Sequence, residues 1–400
     1  NASGNPTQTI LIDPVDGAVT VAIRFVAIDN GDFESLKPRT VNLPFQLIPT
    51  AANAEISGTL YFGGSPLKNT LVVLTDTNSN SKIVVRTDAE GNYVFRERQI
   101  GKTYLVQPLS SKYSFSPAAN AVDLTDNVSG LNFSSTAKNY RAKNDFDGDG
   151  KSDVAVFRPS DGNWYVLRSS DNQMSVFKFG FGTDIPVSAD FDWDGKTDYA
   201  VFRPSEGRWY IWQSETEDLR VVRFGLADDK LIPADYDGDG RADIAVYRGG
   251  FWYILNSSDG SFSAKHFGAE TDTPMTGDFD GDGKADLTVY RPSEGNWYML
   301  NSSTDEFSAS RFGLETDVPA AGDFDGDGLA DIAQFRNGNW FVLNSTTDFE
   351  AYRFGNVGDQ AVVGDYDGDG RADAVVFRSG FWSIANSGGT VRNIHFGLST

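Results

Sequence analysis

The stretch Asp145-Phe146-Asp147-Gly148-Asp149-Gly150-Lys151-Ser152-Asp153 decides the fold, because the chain writes the same nine-residue phrase six times. The phrase D-[FY]-D-x-D-G-x-x-D opens at Asp145, Asp190, Asp235, Asp278, Asp323 and Asp365, at spacings of 45, 45, 43, 45 and 42 residues. Self-similarity at such a period marks a repeated supersecondary unit, and it governs architecture before local propensity does.

The phrase also has a chemistry. Ca²⁺ takes about six to eight oxygen ligands at roughly 2.3–2.6 Å. Carboxylates at alternate positions of an extended turn can converge on one such ion. The glycine at the sixth position permits the sharp turn that brings the ninth residue back. The expected ligands of loop one are Asp145, Asp147, Asp149 and Asp153 with the carbonyl of Lys151. Loop two offers Asp190, Asp192, Asp194, Asp198 and the carbonyl of Lys196, and loop three Asp235, Asp237, Asp239, Asp243 and that of Arg241. Loop four offers Asp278, Asp280, Asp282, Asp286 and the carbonyl of Lys284. Loop five has Asp323, Asp325, Asp327, Asp331 and Leu329, and loop six Asp365, Asp367, Asp369, Asp373 and Arg371. About six Ca²⁺ ions are therefore expected.

An EF-hand shares the opening of the phrase but needs a bidentate Glu at position twelve and flanking helices. Position twelve here is Val156, Val201, Val246, Val289, Gln334 and Val376. The residues that follow alternate as a strand does, with Val154, Val156 and Arg158 on one side and Ala155 and Phe157 on the other. These are loops between strands. An acidic turn that binds nothing is the competing reading, and 24 carboxylates held in register weigh against it.

Each repeat reads as four short strands, in the fourth copy Thr273 to Asp278, Asp286 to Arg291, Asn296 to Asn301 and Phe307 to Phe312. Short strands at even spacing with a fixed aromatic pattern mark a β-propeller of one four-stranded blade per repeat. The pattern runs from Phe157/Trp164/Phe179 to Phe377/Trp382/Phe396. A Trp in every repeat suits packing between blades better than a sugar platform. The expectation is an all-β chain with a closed six-bladed β-propeller, its innermost first strand being the polar run Tyr140 to Asn144. A seventh blade borrowed from residues 100–140 is the alternative.

The phrase, the hydrophobic strand after it and the terminal Phe-Gly resemble the FG-GAP or VCBS-type repeats of bacterial surface proteins, distantly similar to the integrin α-subunit propeller. The resemblance covers roughly residues 139–400 and implies a propeller that binds calcium. Copy two departs from it, with Trp193 where the other copies have Gly148, Gly238, Gly281, Gly326 and Gly368, so loop two's turn is expected to differ.

Upstream, residues 54–137 hold β-rich runs: Ile56 to Phe62, Thr70 to Asp76, Lys82 to Thr87, Tyr93 to Arg96 and Thr103 to Pro108. The stretches Ile56-Ser57-Gly58-Thr59 and Thr87 to Phe95 resemble a carboxypeptidase-regulatory-like or Cna-B-like β-sandwich, which implies a stalk or spacer of about seven strands. Residues 1–53 carry two strand-like runs, Val19 to Ile28 and Val41 to Ile48, which cannot enclose a core alone. The first is apolar on both faces, as in a strand covered on both sides. It is expected to dock on its own sandwich or to add to a neighbouring copy, joining subunits into a filament.

Composition points outside the cell. The chain has no Cys. Loops of moderate calcium affinity fill where calcium is abundant. The chain shows no charged-plus-apolar leader, so a secretion signal is expected to have been removed or to lie outside it. No apolar run approaches the roughly 18 residues of a membrane span. A net charge of −22 argues against nucleic acid, since phosphate contact needs clustered Lys and Arg. The Asn-Ser-Ser/Thr triplets at Asn256, Asn301 and Asn344 suit either turns or glycosylation.

Catalytic signatures are missing: there is no nucleophile elbow, H-E-x-x-H or phosphate-cradling loop. His266 and His395 stand where other repeats have Lys178, Arg223, Arg311 and Arg353. The face opposite the acidic loops would present the turns at Asp161, Glu206 and Glu294 and the loops at Asp184, Asp228, Asp272 and Asp317. Arg158, Arg203, Arg248, Arg291, Arg336 and Arg378 point there and are expected to pair with the Asp of the following loop. Three functions stay open: a non-catalytic adhesion or assembly protein meeting protein or glycan at a cell surface, a lectin-like propeller, and a polysaccharide-active enzyme.

Overall fold

The computed structural model describes residues 53–110, 112–138 and 142–397. The expectations placed on residues 1–52 and on Tyr140 and Arg141 lie outside the described residues. Every described element is a strand.

Residues 53–137 form two sheets around one core. In the first, Asn53–Phe62 pairs antiparallel with Asn92–Gln99 and parallel with Phe133–Ala137, which continues to Tyr113–Ser116. The second runs in the order Lys82–Arg86, Leu71–Asp76, Thr103–Leu109, Asn120–Asp123. Alternation in Asn53–Phe62 turns Ala54, Ile56 and Leu60 inward, where they meet Phe95, Leu74, Tyr104 and Val106. The seven strands expected are nine, because Ser65–Pro66, Tyr113–Ser116, Asn120–Asp123 and Phe133–Ala137 join the five apolar runs. Residues 103–137 pair within these sheets and supply no further repeat.

Residues 142–397 fold as a repeat β-propeller, one small antiparallel sheet per phrase. Five sheets have four strands. The first shows three, Val154–Arg158, Asn163–Leu167 and Met174–Lys178, because the described Ala142 to Asn144 form a turn rather than a strand. The innermost strands of repeats two to four are shorter than expected, while Val318–Gly322 and Gln360–Gly364 run up to their loops. In the fourth repeat the innermost strand is Thr273–Met275, stopping before the loop, and in the second only Ile185–Pro186.

The middle strand of each repeat buries its Trp, and Trp209, Trp252, Trp297 and Trp340 are wholly enclosed. A buried indole N–H needs an acceptor. Trp209 finds one in the carbonyl of Phe224 at 2.8 Å, and Trp164, Trp252, Trp297 and Trp382 do the same with Phe179, Phe267, Phe312 and Phe396. The cores are shared between neighbours: Phe202, Trp209 and Ile211 pack on Ala242, Ile244 and Val246 of the next repeat. Val154 of the first repeat packs with Val375, Trp382 and Ile384 of the sixth, so first and last repeats are neighbours too.

Candidate metal centre

Each acidic loop is built around its first and ninth residues. In loop one, Gly148 and Gly150 donate backbone N–H groups to the two oxygens of Asp145, both at 2.7 Å. Asp153 accepts from Phe146 N–H at 2.8 Å and Ser169 N–H at 2.6 Å. These bonds recur throughout: Asp286 accepts from Phe279 and Ser302, and Asp373 from Tyr366 and Ser387. The third and fifth carboxylates are held by hydroxyls. Ser170 Oγ donates to Asp147 at 2.6 Å and Ser169 Oγ to Asp149 at 2.8 Å.

Sequence reasoning missed those hydroxyls. Ser169, Ser214, Ser257, Ser302, Ser345 and Ser387 each give an N–H to the ninth Asp and a hydroxyl to the fifth. They stand 22 or 24 residues after the first Asp of each phrase, and that recurrence was the available signal. Asn256 and Asn344 just before them serve turns: Asn256 Nδ2 meets Ser261 Oγ at 3.1 Å, and the buried Asn344 donates to the Asp348 carbonyl.

The carboxylates converge. Oxygens of Asp145, Asp147 and Asp153 lie within 4.8 Å of one another, as do those of Asp323, Asp325 and Asp331. In loops two, three and four the converging set is the first, third and fifth residues: Asp190, Asp192, Asp194; Asp235, Asp237, Asp239; and Asp278, Asp280, Asp282. The donors are all hard oxygens, the set that Ca²⁺ prefers. Burial is the main cause that raises several of these carboxyls: Asp153 and Asp278 to about 6, Asp198 and Asp373 to about 7, and Asp331 to about 8.

Neighbouring loops interlock. The eighth residue of each phrase donates its N–H to the first carbonyl of the preceding loop: Thr197 to Asp145, Ala242 to Asp190, Ala285 to Asp235, Ala330 to Asp278 and Ala372 to Asp323. Ser152 donates to Asp365 at 2.6 Å, so the series returns to its start. The seventh side chain lies over the fourth residue of the preceding loop. A Cβ on Gly368 would stand 2.9 Å from Lys151 Cγ, and one on Gly281 would stand 2.7 Å from Leu329 Cδ2. These glycines also take positive φ, +78° at Gly368 and +84° at Gly281. Trp193 does not disturb loop two as expected. It adopts φ 70°, donates its N–H to Asp190 as Gly148 does to Asp145, and lays its ring over Gly240.

The opposite ends of the strands correct one expectation. The arginines pair with the Asp 19 residues before them rather than with the following loop. Arg203 Nε and Nη2 reach Asp184 at 2.8 and 2.9 Å, and Arg291 reaches Asp272 at 2.8 Å twice. Arg248 takes Asp229, not Asp228, while Arg336 takes Asp317 and Arg378 takes Asp359. Hairpin geometry brings the end of the second strand beside the turn that precedes the first. Arg158 instead pairs within its own turn, with Asp161 at 3.4 Å, and the sequence position 19 before it is Asn139. His266 and His395 pack on Phe251 and Phe381. A cavity of about 790 Å³ is lined by Lys143, Asp190, Lys196, Asp235, Asp278 and Lys284 among smaller residues.

The FG-GAP-like repeat family matches the chain four times, over residues 145–201, 190–246, 235–289 and 278–334. No curated protein matches. Among solved structures, an Agrocybe aegerita lectin that recognises non-reducing terminal N-acetylglucosamine is 16% identical with a TM-score of 0.45, over 87% of this chain and 95% of the lectin. A streptogramin B lyase is 10% identical with a TM-score of 0.44, over 65% of this chain and 83% of the lyase. Identities this low say nothing of shared chemistry.

Proposed function

We propose that this chain is a secreted, calcium-stiffened, closed six-bladed propeller carried on an N-terminal β-sandwich stalk, and that it works without catalysis as an adhesion or structural protein at a cell surface. The observation that carries the reading is the returning series of six interlocked acidic loops, with hard carboxylate oxygens that converge to within 4.8 Å in loops one to five. Each loop would hold its ion through the first, third, fifth and ninth carboxylates and the carbonyl of the seventh residue. The ion supplies the positive charge that lets four acids share one turn. With six ions the net charge of −22 falls to about −10, so much of the acidity is ligand rather than a surface for basic partners.

Equilibrium dialysis should find about six calcium ions per chain, and one ion or none would overturn the reading. Beads coated with the protein should adhere to protein- or glycan-bearing surfaces in calcium and release in chelator. Hydrolysis of a polysaccharide substrate would overturn the non-catalytic part. Self-assembly through residues 1–50 belongs to the same proposal. A chain lacking them should lose any oligomers the full chain forms while keeping its calcium.

A lectin-like reading has one supporting observation. Phe181 is 64% exposed on the face opposite the loops, and the guanidinium of Arg203 lies between its ring and that of Tyr210. Exposed aromatic rings stack on sugars, and a glycan array with Phe181→Ala as control distinguishes the two readings.

A further inference from the structure

The six acidic loops are alike in chemistry but not in surroundings. In loop five, Asp325 and Asp327 are only 3% and 5% exposed, whereas Asp149 of loop one and Asp282 of loop four are open to solvent. What covers loop five is the N-terminal unit. Arg86, at the end of the strand Lys82–Arg86, donates through Nη2 to the carbonyl of Asp325 and through Nη1 to the carbonyl of Asn69 at 3.1 Å. On the neighbouring loop, Lys112 Nζ donates to the carbonyl of Gly368 at 2.6 Å. Beside Gly328, a Cβ would stand 3.4 Å from the Ser110 carbonyl oxygen and 3.5 Å from Lys138 Nζ.

These contacts read the outside of the loops. Asp325 turns its carboxylate inward, to the N–H groups of Asp327 and Thr347, and its carbonyl outward to Arg86. The outward carbonyl stands where Arg86 can reach it while the loop keeps the turn that gathers its carboxylates. Covering the loop also takes solvent, the exit route for an ion, away from it.

We propose that the N-terminal unit is a lid on loop five, tethered on loop six through Lys112: a divalent cation held in loop five leaves more slowly than from the open loops, and loading this loop and docking the unit reinforce each other. This rests on the calcium-binding reading above. Coupling of this kind is reciprocal, so whatever docking adds to the affinity of loop five, its ion adds to docking.

The test is a chelator chase. The full chain, loaded with calcium, is mixed in a stopped-flow instrument with a fluorescent chelator in excess. Release should be biphasic, with the slow phase carrying a minority of the ions and running roughly tenfold slower, within the usual range of such couplings. Arg86→Ala and, separately, Lys112→Glu should move the slow ions into the fast phase while total calcium stays the same. Asp282→Asn, in open loop four, should remove a fast ion and leave the slow phase alone. A single phase in the native chain overturns the lid while leaving the calcium reading intact, and so does a slow phase that both lid variants leave unchanged. Loss of the slow phase in Asp282→Asn assigns that phase elsewhere and overturns the lid as well. Absence of any bound calcium overturns both readings.

Discussion

The N-terminal unit and the acidic loops of the repeats bury carboxylates in opposite ways. Asp76 in the N-terminal unit has its counter-charge in the chain: Lys102 Nζ lies 2.6 Å away, and that hydrogen bond is the largest of the causes that hold the carboxyl at about 2. Asp153, Asp198, Asp331 and Asp373 in the repeats accept from amides alone or with a hydroxyl, have no ion-pair partner among the described residues, and are raised by burial. Asp76 has its neutralising cation in the chain, as do the Arg-paired Asp184 and Asp272 at the other end of the repeats. The ninth carboxylates of the acidic loops must find theirs in solution or take up protons. The apolar cores differ in the same sense, since the N-terminal unit has one cluster drawn from both sheets and the repeats have several small ones between neighbours.

Chelation should break this comparison most visibly. At calcium a hundredfold above Kd, each loop that binds only when folded contributes about 2.7 kcal/mol. Calorimetry should show the repeats melting far lower in chelator, while a separate transition of the N-terminal unit shifts only by the smaller amount that docking contributes. Two transitions that shift together by the same amount would mean that the units do not differ in this respect. Next in size is Trp297→Ala, which empties a wholly buried site and should cost about 3–5 kcal/mol in calcium and in chelator alike, by denaturant unfolding.

The pH dependence follows from the sign of the shifts. The raised carboxyls bind more protons folded than unfolded, where their pKa is about 3.9. Metal-free protein should therefore be most stable near pH 4 and lose stability as pH rises to about 8, through the values of Asp153, Asp198, Asp373 and Asp331. Calcium should flatten or reverse that slope, since the ion replaces the protons. Melting curves across this range that rise with pH in chelator would contradict the assignment.

Two substitutions sharpen the picture further. Asp286→Ala strands the N–H groups of Phe279 and Ser302, and should cost about 1–3 kcal/mol even without calcium. The smallest effect is expected from Trp193→Gly. Relief of a left-handed non-glycine residue is worth roughly 1–2 kcal/mol, and loss of the ring over Gly240 offsets it. Stability should change by less than about 1 kcal/mol, with calcium stoichiometry unaltered in dialysis.

What could be read from the chain alone was whatever repeats locally. The period, the carboxylate positions, the strands after each loop and the buried Trp all follow from neighbours within one phrase or one hairpin, where spacing fixes which face a residue takes. The five apolar runs upstream were legible for the same reason, and the strands missed there, such as Tyr113–Ser116, alternate too weakly to stand out. The tertiary structure alone decided the rest. It brought Ser169 to Asp153, set Lys151 over Gly368, matched Arg203 with Asp184 and laid Arg86 on Asp325. These partners are separated by 16 to 239 residues. Hydrogen-bond donors and acceptors are common to every residue, so a sequence says which groups need partners, and only the packed arrangement of sheets says which partner arrives.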